Sequence, residues 1–278
     1  MARKDPPSYP AESAAPVPTA PPRETAFEAF AGMCTVLVIG VFVLTFLGQN
    51  FVIPSGSMKD TLLIGDHLLV DRITFAPPSG WMPLIHHREP QRGDIVVFFR
   101  PAPQPEPDPE GNPVYLPLVK RLIGMPGDHI HLHDGTVFIN GVAQPMPKDG
   151  LDTPAPPSER EFVDNFPSVL PTVEDSHGAV TTWVVDLPNH LENGDLVVPP
   201  GKYFMMGDHR HASLDSRFWG FVPRENIIGR SLFNYWSFKT PADQEDKKGI
   251  ANQLAWMGHV AIHFFTDTRW SRTLKRVH

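Results

Sequence analysis

The 278 residues carry 24 Lys and Arg against 31 Asp and Glu, a formal charge of −7, which argues against nucleic acid as a partner. The length suits one large domain or two modest ones, and 18 Phe with 6 Trp exclude global disorder. A lone cysteine, Cys34, excludes a disulfide framework within the chain, while 32 Pro and 21 Gly point to many turns and to β structure.

Residues 1–26 read as a disordered tail, with seven prolines in the first 24 positions. Residues 27–48 read as a membrane-spanning signal anchor. No charged residue occurs between Glu28 and Lys59, and Ala29–Leu47 is a 19-residue, mostly apolar run, close to the roughly 20 that a spanning helix needs. A cleavable signal peptide fits less well, because the segment before the run is long and no small-x-small pair precedes a cleavage point. Arg3, Lys4 and Arg23 place the tail in the cytoplasm and everything after Asn50 outside.

The stretch Phe51–Met58, FVIPSGSM, follows at once. It is either a plain turn where the chain leaves a membrane or a serine nucleophile held near one. Ser57 lies ten residues beyond Leu47, so an extended linker reaches about 35 Å at most.

Residues 49–143 contain short runs of Val, Ile, Leu and Phe bounded by Gly, Asp or Pro: DHLLVDRITF, GDIVVFF, LPLVKRLIG, DHIHLH and GTVFING. Each predicts a strand. Arg100–Pro113 is too proline-rich for a central strand and reads as a loop or ribbon tip. Residues 144–200 lose this pattern and read as an inserted subdomain, and the strand-and-turn pattern resumes over 201–240. The extension 241–278 includes a charge-free stretch, 249–265, whose two His, Asn and Gln make a poor span. It predicts a helix packed on the protein or lying at a membrane interface beside the basic end TRWSRTLKRVH.

A serine hydroxyl needs a base. Asp66-His67 and Asp208-His209 are candidates for a triad, but neighbours on a strand point to opposite faces, so such dipeptides build no relay by themselves. Lys120 is the other candidate. Alternation in PLVKRLIG puts Leu118, Lys120 and Leu122 on one face, and a lysine between leucines on a half-buried strand is desolvated, which disfavours its ammonium form. The alternative is a surface lysine that blunts an edge strand.

Taken together, IPSGSM, TLLIGDHLLV, GDIVVF, KRLIGMPGD and PPGKYFMMGDHRHASLDSRFWGFVP, in that order after a candidate anchor, resemble the type I signal peptidases. The resemblance implies a mainly β fold: an antiparallel catalytic core, an inserted β-rich subdomain and one N-terminal transmembrane helix. It implies a Ser-Lys endopeptidase of the outer face of a bacterial cytoplasmic membrane that cleaves signal peptides from exported preproteins and uses no metal or organic cofactor. Ser57 is implied as nucleophile, Lys120 as general base, Ser55 as oxyanion donor and Ser213 as the hydroxyl that holds the lysine amine. Arg121, Asp208, Asp215 and Arg217 are implied as salt-bridge braces, with Arg121 a partner of Asp208. Phe51, Ile53, Pro54, Met58, Leu62, Leu118 and Val119 are implied to line shallow pockets for small side chains, and an apolar surface is implied to touch the phospholipid bilayer. The chain departs from the family pattern at His209, where asparagine is common, and at Lys59-Asp60, where Met-Pro or similar is frequent.

His129, His131 and His133 alternate along one predicted strand. They read as polar positions opposite Ile130 and Leu132 in preference to a zinc site, and His86 and His87 read as exposed. Two other functions compete: a self-cleaving Ser-Lys protease of the repressor type, and a silent membrane-anchored binder of signal peptides. The candidate span and GDHRHASLDSR count against the first, and an intact Ser57 and Lys120 against the second.

Overall fold

The computed structural model describes residues 25–42, 48–59, 61–76, 87–101, 111–145, 157–169, 181–244, 247 and 249–277. The described strands are β1 (Gly48–Val52), β2 (Asp66–Asp71), β3 (Ile95–Phe99), β4 (Pro117–Gly124), β5 (His129–His133), β6 (Thr136–Ile139), β7 (Val142–Ala143), β8 (Leu191–Glu192), β9 (Asp195–Val197), β10 (Lys202–Met206), β11 (Val222–Pro223), β12 (Ile227–Ser237) and β13 (Lys275–Arg276). The five predicted strand runs become β2 to β6. The helices are α1 (Ala26–Phe42), α2 (Pro157–Asp164), α3 (Thr181–Asp186), α4 (Ser216–Trp219) and α5 (Ile250–Asp267).

Both sheets are antiparallel. The larger runs β1-β2-β12-β3-β4-β10-β11, with β13 beside β12, and the smaller runs β7-β6-β5-β9-β8. Side-chain alternation builds strands with one buried face: β2 buries Asp66, Leu68 and Val70, and β5 buries Ile130 and Leu132. The central strand β3 is apolar on both faces and serves two cores. Val96 and Phe98 join Leu122, Ile130 and Phe204 on one side, whereas Ile95 and Val97 join Ile53, Met58, Leu62, Leu68 and Val70 on the other. Lys120 pairs with Val96 across β3 and β4, and Leu118 pairs with Phe98, so the lysine is carried into the apolar interior by register.

The insertion differs from the expected β-rich subdomain. The described part of 144–200 holds α2, α3 and the hairpin β8–β9, while β5, β6 and β7 come from the segment assigned to the first part of the core. Its helices lack the period-2 pattern and anchor through Phe162, Val163, Phe166 and Trp183, all buried in the shared core.

The N-terminal segment is a separate unit. Among the described residues no helix is long and apolar enough to cross a membrane. Helix α1 has 17 residues, roughly 26 Å of helix against a hydrocarbon thickness of about 30 Å, and residues 43–47 of the expected span lie outside the described residues. The described part of Arg100–Pro113 is free of strand, and its residues 102–110 are likewise not described. The same holds for the N-terminal tail through residue 24 and for His86, while His87 is half-buried and not exposed as expected. Helix α5 packs on the protein along one edge, through Trp256 and His259 against Phe238 and through Phe264 against Trp236. It leaves Ile250, Leu254, Met257, Ile262 and Phe265 exposed.

One turn ties these parts together. Gly65 donates its N–H to the Ile53 carbonyl and accepts from the Phe238 N–H, both at 3.0 Å, at a φ of +84°. A Cβ there would overlap the Phe238 carbonyl oxygen, which is backbone and cannot rotate away. Gly65→Ala is therefore expected to destabilise the protein by more than about 1 kcal/mol, combining a left-handed φ with a clash. Chemical unfolding measures it, and an unchanged midpoint would contradict the packing described.

Candidate active site

The segment after β1 turns sharply. Ser55 is extended, and Gly56–Met58 forms one tight helical turn that Lys59 closes by donating its N–H to the Gly56 carbonyl at 2.9 Å. Met58 is buried and pins the turn to the core, leaving Ser57 half-buried and Ser55 exposed. Ser55 Oγ lies 3.4 Å from Ser57 Oγ.

Lys120 reaches this turn from the middle of β4. Its Nζ is 2.5 Å from Ser57 Oγ, and the residue is only 3% exposed. Burial is the largest influence on the amine. The carboxylate of Asp215 acts to raise its pKa, the charge of Arg217 to lower it and that of Asp208 to raise it, and the balance brings it from 10.5 down to about 8. A lysine so placed holds a useful neutral fraction near pH 7 to 8, which a solvated lysine does not.

The nearby carboxylates are captured by arginines. Asp208, fully buried, accepts from Arg121 Nε at 2.8 Å and Nη2 at 2.7 Å, and from Thr61 Oγ1 at 2.5 Å. Asp215 caps α4 and accepts from Arg217 Nε and Nη2, each at 2.9 Å. Burial works against charge on Asp215, but Arg217 and the Gly207 N–H hold its carboxyl below the usual range. Arg217 also donates to the carbonyls of Arg210 at 2.6 Å and Val163 at 3.2 Å, which ties the site to the inserted segment. Arg210 beside it is buried too, and burial with the charge of Arg217 pushes its guanidinium down to about 10.

Ser57, Lys120, Arg121, Asp208, Asp215 and Arg217 are thus brought together, and Arg121 finds Asp208 as expected. Ser213 is buried nearby, but its hydroxyl makes no hydrogen bond, to Lys120 or to any other described group. A cleft of about 260 Å³ opens beside Ser57, lined by Phe51, Ile53, Pro54, Met58, Leu118 and Val119, with Ser55 and Lys120. Leu62 does not line it. Leu62 is fully buried in the same core cluster as Ile53 and Met58.

Sequence reasoning missed Val52, Leu116 and Pro117 on the cleft wall, Thr61 on Asp208, and Gly207. A Cβ on Gly207 would overlap Ser213 Oγ and crowd the Ser57 carbonyl, so the chain must pass under the Ser57 turn with no side chain there. The MMGDHR context marks a tight turn, but nothing local reveals what crosses it.

The dipeptide triads do not form. Asp66 is taken by Ser237 and Arg272, while His67 faces Tyr235 and Trp236 on the other side of β2. His209 points to a backbone carbonyl and not to a serine hydroxyl. His131 bonds Asp195 at 2.8 Å and stacks on Phe138. Among the described residues no group of three His, Cys, Asp or Glu stands where it could hold a metal ion.

A serine hydroxyl against a buried amine, in an apolar cleft on an antiparallel sheet, fits a class: the serine hydrolases. The family described as "Signal peptidase, peptidase S26" matches residues 26–236, and the chain belongs to that family. Signal peptidase I of Pseudomonas fluorescens is 34% identical, over 74% of this chain and 71% of its own. That of Haemophilus influenzae is 31% identical, over 80% and 73% respectively. A solved signal peptidase I from Enterococcus faecalis matches 51% of this chain and 97% of its own at 31% identity, with a TM-score of 0.31 that says nothing about shape.

A base role for Lys120 predicts that protonation of its amine removes activity. The acid limb of kcat/KM against pH is expected to centre near 8, falling as pH drops below it and flat above it until another group intervenes. A profile still flat down to pH 5 would rule out a lysine base.

Proposed function

We propose that this chain is a serine endopeptidase that removes signal peptides from exported preproteins, with Ser57 as nucleophile and Lys120 as general base. The observation that carries the assignment of roles is the 2.5 Å approach of Lys120 Nζ to Ser57 Oγ on a lysine that is almost wholly buried. Family membership supports the substrate class.

In this reading Ser57 Oγ attacks the scissile carbonyl while its proton passes to Lys120 Nζ. The developing oxyanion takes hydrogen bonds from the Ser57 N–H and the Ser55 hydroxyl, donors aimed where negative charge appears. Lys120 then protonates the departing amine of the mature protein. Water hydrolyses the acyl-enzyme, with the neutral amine again as base. Arg121 on Asp208 and Arg217 on Asp215 keep two carboxylates occupied, so that neither takes the lysine as its ion-pair partner. Ser213, buried beside the site, is the hydroxyl that would steady the amine once substrate is bound. The cleft between β1 and β4 is small and apolar, which suits short side chains at the first and third positions before the cut.

The membrane enters through two segments. Helix α1 and the apolar residues after it form the anchor, with the catalytic unit on the outer face of the cytoplasmic membrane. The exposed apolar side of α5 rests at the lipid interface, its basic end near headgroups.

Incubating a presecretory protein in detergent with wild type, Ser57→Ala and Lys120→Ala tests the pair. Wild type is expected to cleave and both variants to lose at least about a thousandfold in rate, while equal cleavage by all three would remove the assignment. For the membrane placement, a nitroxide at position 262 is expected to be shielded from a water-soluble relaxation agent in vesicles. Full aqueous access would place α5 away from lipid.

A further inference from the structure

The turn formed by residues 207–209 lies under the nucleophile turn and grips it at three points. The His209 N–H donates to the Ser57 carbonyl at 3.1 Å, the Asp208 N–H to Met58 Sδ at 3.4 Å, and His209 Nδ1 stands 3.3 Å from the Gly56 carbonyl oxygen. A carbonyl only accepts, so this last contact requires the proton of the imidazole to sit on Nδ1. The ring is buried, and its Nε2 has no hydrogen-bond partner among the described residues. Among the described residues the ring's single polar engagement is with Gly56.

The Gly56 carbonyl belongs to the same peptide unit as the Ser57 N–H. That unit is planar and trans, with its C=O and N–H pointing in opposite directions. Whatever fixes the oxygen therefore fixes the direction of the N–H, and a donor on the oxygen polarises the peptide and strengthens its N–H as a donor. The oxygen has two lone pairs: the Lys59 N–H takes one at 2.9 Å, and His209 faces the other.

We propose that His209 is a positioning residue for the oxyanion site: its Nδ1–H holds the Gly56–Ser57 peptide so that the Ser57 N–H points at the developing negative charge. The inference rests on the reading of Ser57 as nucleophile and of its N–H as an oxyanion donor. It gives His209 no part in moving protons, which fits a ring directed at a backbone carbonyl. The Lys59 bond survives when the ring is removed, so the loss should be partial.

Side-chain geometry supplies the test. An asparagine side chain places an amide N–H at the same number of bonds from Cα as Nδ1; glutamine places it one bond further, and leucine places a methyl group at that position. Acylation rates in single turnover, KM and thermal midpoint are measured for wild type and for His209→Asn, His209→Gln and His209→Leu. His209→Leu is expected to acylate about tenfold more slowly with KM unchanged, because the lost interaction acts in the transition state. His209→Asn is expected to return close to the wild-type rate, and His209→Gln to remain slow at a normal thermal midpoint. If His209→Leu does not fold, the comparison of Asn with Gln decides. Equal rates in those two, or a slow enzyme explained by KM alone, would overturn the proposal. Ser57→Ala, run alongside, separates the two failures. Should it stay active, the nucleophile assignment falls; should it be inactive while all His209 variants keep the wild-type rate, only the role of His209 falls.

Discussion

Burial of the Lys120 amine against the Ser57 hydroxyl is the constraint on which the rest of the site depends. An amine is a base only while it is neutral, and it stays neutral near physiological pH only if water and unpaired carboxylates are kept away. Two carboxylates, Asp208 and Asp215, lie close enough to act on it. Each is held by a guanidinium, Arg121 in one case and Arg217 in the other, so their negative charge is largely matched before it reaches the lysine. Ion pairs at such depth are poor sources of net stability, because the desolvation cost rivals the attraction. Their presence here makes sense as control over the field around one amine.

The sheet turns that requirement into geometry. Strand β4 lies between β3 and β10; Lys120 pairs with Val96 of β3, and the β10 ladder ends beside it at Arg121, so the lysine enters from within the sheet and not from its edge. Strand β3 divides two cores, one joining the smaller sheet and the insertion, the other supporting β1 and the turn that carries Ser57. The turn is pinned by Met58 in the core and by the backbone and side-chain contacts of residues 207–209. Ser57 therefore sits where β4, the core and the 207–209 turn meet, beside a cleft with mostly apolar walls.

Much of this was legible in the chain. Strands β2 to β6 follow from short apolar runs and their punctuation, and the burial of Lys120 follows from two leucines at alternate positions. The ordered motifs resembling signal peptidases marked Ser57, Arg121, Asp208, Asp215 and Arg217. Other features were not legible for identifiable reasons. Leu62 and Met58 are both apolar and close in sequence, yet only the fold shows that Met58 lines the cleft while Leu62 does not. Thr61 and Gly207 matter through what crosses them from 147 and about 150 residues away, in the contacts of Thr61 with Asp208 and of Gly207 with Ser57. In the described part of the insertion, irregular composition hides two short helices that hold on through a few aromatic residues, beside the hairpin β8–β9.

By itself, the sequence determined which residues can do chemistry and which face of each strand is apolar, since these depend on residue type and on a period of two. It also determined the order of the pieces and hence the family. Only the tertiary structure decided that a lysine 63 residues from a serine meets it at 2.5 Å. Only the structure decided that His209 meets a backbone carbonyl and that Ser213 meets no partner among the described groups. The reason is that periodicity constrains a strand's own faces, whereas distances across strands depend on register, twist and the close passage of turns. FVIPSGSM shows both halves: its proline and glycine announce a bend, but β4 and the 207–209 turn decide what that bend is for.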